Sequence, residues 1–134
     1  MKWMLDTDTC IAIIKGKSAS VLKKLRGKSV GQVGISSITF AELAFGAAKS
    51  TRRDEAQAAL TEFLLALEVA SFDSAAAESY GELRASLEKR GTPMGPLDTL
   101  IAAHAVALDA VLVTHNTREF RRIDTLRVED WTSS

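Results

Sequence analysis

Three carboxylates stand in three helix-starting contexts far apart in the chain: Asp6 in Met4-Leu-Asp-Thr-Asp, Glu42 in Ile38-Thr-Phe-Ala-Glu-Leu, and Asp98 in Gly95-Pro-Leu-Asp-Thr-Leu-Ile. Drawn together by a fold, they make a site for a hard divalent cation. Mg²⁺ and Mn²⁺ prefer oxygen ligands and keep several waters, so a few converging acids leave coordination positions free for a phosphate and an attacking water. The reaction such a site would run is hydrolysis of a phosphodiester, by in-line attack of the water while the cation also stabilises the leaving oxygen.

The elements that must position these acids follow from the hydrophobic pattern. Short apolar runs alternate with helical periodicity, which predicts an α/β fold with a mainly parallel sheet covered by helices on both faces. Strands are expected at 2–5, 33–36, 68–72, 110–114 and 126–128, and helices at 7–15, 18–25, 40–49, 52–67, 74–89 and 96–108. In an open parallel sheet ligands bind outside the carboxyl ends of the strands, which is also where the following helices begin. Asp6 follows the first strand, Glu42 opens the helix after the second, and Asp98 opens the helix leading to the fourth, so all three project toward one edge. Three helix starts there are expected to keep the carboxylates ionised against their mutual repulsion, with a bound cation relieving the rest. Thr114, Asn116 and Glu119 reach the same edge after the fourth strand; Asn116 offers a carbonyl oxygen but no charge.

Each of these residues also has a purely structural explanation. Thr39 and Glu42 have the spacing of a capping box, in which Thr39 caps the helix and Glu42 reaches back to its first amide. Pro96 at the first helical position puts Asp98 in the first turn, where the helix dipole favours a carboxylate. Asp6 or Asp8 can serve as the N-cap of the first helix. His115-Asn-Thr can be turn chemistry, with Thr117 capping a short helix. What favours a site is the common edge, and a capping geometry can itself orient a ligand. His104 lies on the apolar stripe of its helix and reads as a core histidine. His115 stands nearer the acids and reads as an exposed turn residue within reach of a nucleic acid. Cys10, among Ile11, Ile13 and Ile14, reads as a small buried hydrophobe.

Composition limits the classes of protein. At 134 residues the chain is one domain by size, long enough to bury about two thirds of its unfolded surface. The start lacks the apolar region of a signal peptide, and the run 100–113 is interrupted by His104 and Asp109, so neither export nor a membrane span is expected. A single cysteine forms no internal disulfide and supplies no zinc pair, which fits a cytoplasmic protein. The formal net charge of zero hides an asymmetry: residues 1–53 carry ten Lys/Arg and three acids, residues 54–82 carry seven acids and no Lys/Arg, and the remainder carries seven of each. Lys15, Lys17, Lys23, Lys24, Arg26 and Lys28 lie in a stretch without acids, a pattern suited either to nucleic-acid phosphates or to a solvated helix face.

The ordered set Met4-Leu-Asp-Thr-Asp, Ile35-Ser-Ser-Ile-Thr-Phe-Ala-Glu-Leu-Ala-Phe-Gly-Ala, Gly95-Pro-Leu-Asp-Thr-Leu-Ile-Ala-Ala-His-Ala, Val113-Thr-His-Asn-Thr-Arg-Glu-Phe and Leu126-Arg-Val-Glu-Asp-Trp resembles the PIN-domain ribonuclease toxins of the VapC family, over essentially the whole chain. The resemblance implies a single PIN domain over residues 1–134, a three-layer α/β/α sandwich with about five strands. It also implies a Mg²⁺- or Mn²⁺-dependent endoribonuclease and a VapB-like antitoxin whose C-terminal segment occupies the acidic site, often through a basic side chain. Asp6, Glu42 and Asp98 then become the acidic metal ligands, and the anticodon region of initiator tRNA the suspected target. One departure is Asn116, where many PIN domains carry a fourth acid; Asp8 and Glu119 are its candidate replacements, and Thr114 joins the supporting set. Lys15, Lys17, Lys23, Lys24 and Lys28, with Arg118, Arg121 and Arg122, are expected to hold the RNA backbone. The apolar-striped helix at 52–67 is a candidate wall for an antitoxin groove or a homodimer, or packs on its own sheet. Two rivals are a degenerate PIN-like module that binds RNA or a partner without cleaving, motivated by Asn116, and a phosphatase using Asp6 and Asp8. The phosphatase needs a well-placed lysine, and no Lys follows Lys89.

Overall fold

A computed structural model describes residues 1–132. Five parallel strands, β1 (Trp3–Leu5), β2 (Val33–Ser36), β3 (Glu68–Ala70), β4 (Val111–Val113) and β5 (Val128–Glu129), form one sheet in the order β3-β2-β1-β4-β5. The three central strands are buried along their whole length, as parallel strands covered on both faces must be. Alternation along the strands divides the core. Trp3, Leu5, Val111 and Val113 pack on one face under helices α1 (Thr7–Ile14), α2 (Ala19–Arg26), α3 (Ser37–Ala48) and α4 (Arg53–Leu64). Met4 and Leu112 pack on the other under α5 (Ser74–Lys89), α6 (Pro96–Ala107) and the residues around the short α7 (Thr117–Phe120). The expected α/β/α sandwich is therefore present, and among the described residues no helix is long and apolar enough to cross a membrane.

Local signals set most boundaries. Asp73 caps α5 by accepting from Ala76 N at 3.0 Å, and Gly91, at φ 71°, ends it in the left-handed conformation that glycine adopts without a Cβ penalty. The stripe on α4 packs on its own core: Leu60 is buried, and Phe63, Leu64 and Leu67 lie against the same cluster. Three expectations are corrected. The third helix begins at Ser37 rather than 40, because Ser36 Oγ accepts from Ile38 N at 3.0 Å and starts the turn early. Thr39 is therefore buried inside the helix and caps nothing, so there is no capping box. Thr117 is likewise not a cap: Asn116 holds that position and makes no side-chain capping bond.

The outer strand β5 is locked down by a tryptophan pair. Trp131, 2% exposed, meets Trp3 edge-on with centroids 6.3 Å apart. Its carbonyl accepts from Ser20 Oγ at 2.8 Å, and Glu129 receives both indole N–H groups, from Trp131 at 3.0 Å and Trp3 at 3.5 Å. Lys28 Nζ sits 4.1 Å from the Trp3 ring centroid and 5.5 Å from that of Trp131. Trp131→Ala opens a cavity under the sheet and is expected to cost about 3–5 kcal/mol of unfolding free energy, read from the denaturant midpoint at unchanged m-value.

Candidate active site

Asp6 begins where β1 ends. Its amide donates to Val113 O at 3.0 Å, its backbone is extended, and Oδ1 accepts from Thr9 N at 2.9 Å, which makes it the N-cap of α1. The hydroxyl of buried Thr114 reaches it from the end of β4. At 6% exposed, Asp6 has its pKa raised by burial; bonds from Thr114 and Thr9 offset part of that, and Asp8 repels it further.

Glu42 lies in the second turn of α3, since the helix starts early. Thr7 Oγ1, at the first position of α1, donates to Glu42 Oε1 at 2.7 Å and lies 3.4 Å from Thr39 Oγ1. The start of α3 is tied in turn to α6, because His104 Nδ1 is 2.9 Å from Ser36 Oγ. His104 is 1% exposed, edge-on to Phe72, and burial lowers its pKa, so it is the core histidine that its apolar stripe implied. Cys10 is fully buried.

Asp98 sits in the first turn of α6 behind Pro96. Its carboxyl is pushed up to about 6, first by burial and then by the negative charges of Glu119, Asp6, Glu42 and Asp8. The charges acting on Asp98 thus come from the N-cap and first turn of α1, from α3 and from α7. None of the five is ion-paired among the described residues. The helix starts therefore do not hold every carboxylate in its ordinary range, contrary to the expectation from their dipoles. Asn116 has a different part from the one its position suggests: Nδ2 donates to Glu119 Oε2 at 2.6 Å, and its amide donates to Thr114 Oγ1 at 3.0 Å. The neutral residue thus holds a fourth acid.

The donor set is all oxygen, partly desolvated and short of positive charge, which fits a hard divalent ion. Among the described residues no three His, Cys, Asp or Glu side chains are grouped tightly enough to hold an ion by themselves. An open arrangement suits a cation that keeps several of its own waters.

The basic residues separate. Lys15 lines the groove that also contains Asp8 and Glu42. Lys17, Lys23 and Lys24 are exposed around α2, and Arg118, Arg121 and Arg122 are exposed on and after α7. Lys28 is stacked on the indoles of Trp131 and Trp3, and Trp3, on β1, stands three residues before Asp6, roughly 10 Å along the strand. Thr7 and Ser36 were not singled out by sequence reasoning, although Thr7 adjoins Asp6 and Ser36 ends a strand directly before a helix.

The profile of the PIN domain matches residues 3–126. This chain belongs to the PIN-domain family. Its relatives are VapC proteins: the tRNA(fMet)-specific endonuclease VapC of Shigella flexneri is 44% identical over 98% of both chains. A solved DNA-bound VapBC from Salmonella typhimurium superposes with a TM-score of 0.93 at 44% identity over 98% of each chain. VapBC2 of Rickettsia felis, bound to a promoter DNA fragment, gives 0.91 at 40% identity over 98% of this chain and 99% of that one. In this PIN domain, then, divalent-metal dependence follows with the family.

The raised Asp98 has a consequence for stability. Folded, it keeps its proton to about pH 6; unfolded, it releases it near about 3.9. The folded state then binds more protons, so stability falls as pH rises from the unfolded toward the folded value. In chelator-containing buffer, Asp98→Asn should melt about 3–6 °C above the parent at pH 8, the gap closing below about pH 4.

Proposed function

We propose that this PIN domain is the toxin of a type II toxin–antitoxin pair and a Mg²⁺-dependent endoribonuclease, with Mn²⁺ able to substitute, that cleaves initiator tRNA in its anticodon region. The observation that carries the reading is a set of five acids, none ion-paired among the described residues, of which Asp98 is raised by burial and by the charges of Glu119, Asp6, Glu42 and Asp8. The target is supported by the Shigella relative, which is named for tRNA(fMet).

Asp6, Asp98 and Glu42 would hold the metal, which when bound supplies Lewis-acid polarisation of the phosphate and acidifies a water. The chain's own residues orient and move protons around it. Thr114 and Thr9 fix the Asp6 carboxylate, and Thr7 fixes Glu42 through Oε1. Glu42 Oε2 has no protein partner among the described residues, leaving it to face a cation or take a proton from water. Asn116 fixes Glu119, which completes the acidic wall in place of the absent fourth acid. The degenerate-module rival loses its motive, since Asn116 recruits an acid. Lys15, Lys17, Lys23 and Lys24, with Arg118, Arg121 and Arg122, would bind RNA backbone; Lys28 has its own role at the tryptophans.

The partner is a VapB-like antitoxin, and the chain is also expected to form a homodimer; solved relatives are VapBC assemblies. A groove of about 1020 Å³ runs between α1, α3 and α4, walled by Ile11, Ile14, Leu43, Phe45 and Leu60 and ending at Thr7, Asp8 and Glu42. Phe45 is 65% exposed there. This shape takes an apolar segment that finishes in a basic side chain, whose guanidinium would bridge the carboxylates.

Two outcomes test this reading. Asp6→Asn and Asp98→Asn should each lower cleavage of initiator tRNA at saturating Mg²⁺ by at least about a hundredfold and weaken Mn²⁺ binding measured by paramagnetic resonance. Parent-like cleavage by either variant rejects the ligand assignment. For the groove, Phe45→Glu should weaken antitoxin binding by about tenfold or more in calorimetry while Phe45→Leu largely restores it; equal affinities for both would place the antitoxin elsewhere.

A further inference from the structure

His115 separates two residues already tied to the acidic edge, Thr114 on Asp6 and Asn116 on Glu119, yet its own side chain is 77% exposed. Exposure here does not mean freedom. Nδ1 lies 3.2 Å from Asp130 Oδ2 and 3.0 Å from Thr132 Oγ1, both from the segment after β5. Asp130 is held in turn, its Oδ1 accepting from Thr132 N at 2.8 Å and Thr132 Oγ1 at 2.6 Å. The hydrogen positions follow from this arrangement. Because the Thr132 hydroxyl gives its proton to Asp130, it can only accept from the ring, and the ionised Asp130 carboxylate also only accepts. Nδ1 must therefore carry the hydrogen. In the neutral ring the lone pair is then on Nε2, which has no partner among the described residues and belongs to an exposed, oriented ring on the residue between Thr114 and Asn116.

An oriented acceptor on a residue whose two chain neighbours touch Asp6 and Glu119 matches one group that RNA has and DNA lacks. The ribose 2′-hydroxyl is a donor as well as an acceptor, whereas phosphate oxygens only accept. Resting on the reading of the acidic cleft as an RNA-cleaving site, we propose that His115 Nε2 accepts a hydrogen bond from the 2′-hydroxyl of a nucleotide flanking the cut, and so helps this PIN domain choose RNA over DNA. Asp130 is the positioning residue, fixing the tautomer and the ring. The exposed Arg118 and Arg121, three and six residues on, would contact the backbone of the same strand.

The test uses an anticodon stem-loop of initiator tRNA, its cut mapped by end sequencing, and a series in which single flanking nucleotides carry 2′-deoxyribose. With the parent, deoxy substitution at one flanking position should lower kcat/KM by roughly three- to tenfold, the size of one neutral hydrogen bond. His115→Phe should cut the all-ribose RNA slower by a similar factor and lose the sensitivity at that position, a non-additivity that a purely structural role would not give. His115→Gln, which offers a carbonyl acceptor, should regain it, and Asp130→Ala should weaken it. The proposal is overturned if the parent and His115→Phe respond equally at every deoxy position, which would mark a contact to phosphate or none. Failure of the parent to cut the RNA at all with saturating Mg²⁺ would instead bring down the nuclease reading, and this contact with it.

Discussion

Uncompensated negative charge at the carboxyl edge of a parallel sheet is the constraint around which this PIN domain is arranged. Burial and the charges of Glu119, Asp6, Glu42 and Asp8 together raise the Asp98 carboxyl to about 6. Like charges in a partly desolvated cleft repel, and no Lys or Arg is ion-paired with them among the described residues. A protein holds such an arrangement only if the surrounding fold is stable enough to sustain it. A positive charge placed among these acids would relieve that tension.

The scaffold meets that demand with small polar devices rather than opposing charges. Thr7 fixes Glu42, Thr114 fixes Asp6, and Asn116 fixes Glu119, so each acid is oriented by a neutral donor that leaves its charge available. Beneath them, Ser36 does two things at once: it starts α3 and meets His104 on α6, coupling the helices that carry Glu42 and Asp98. Apolar packing supplies the stability, with alternate residues of the three central strands feeding two separate cores. The tryptophan pair clamps the outer strand whose following segment holds Asp130 and Thr132.

Two kinds of surface adjoin the acids. The apolar groove between α1, α3 and α4 leads into the acidic cleft, so a peptide lying in the groove would reach the carboxylates with its end. The exposed Arg118, Arg121 and Arg122, on and after α7, are not part of that groove's lining.

Strand identity and helix order were legible in the sequence, because buried parallel strands read as short apolar runs, and Asp6 directly follows one of them. The capping role of Asp6 and the core role of His104 were legible for the same local reason. Tertiary structure alone decided the rest. A capping box suggested by Thr39 and Glu42 gave way to an earlier start at Ser36, since a residue's neighbours in space, not its spacing, determine which hydroxyl meets which amide. The missing charge at Asn116 became a support for Glu119. Lys28 left the basic stretch for two indoles, one 25 residues before it and the other 103 after. The tautomer of His115 was set by Asp130 and Thr132 across a strand pairing. Sequence determined where the charges stand along the chain; only the fold decided which of them are balanced, because Coulomb and hydrogen-bond energies depend on distance through space.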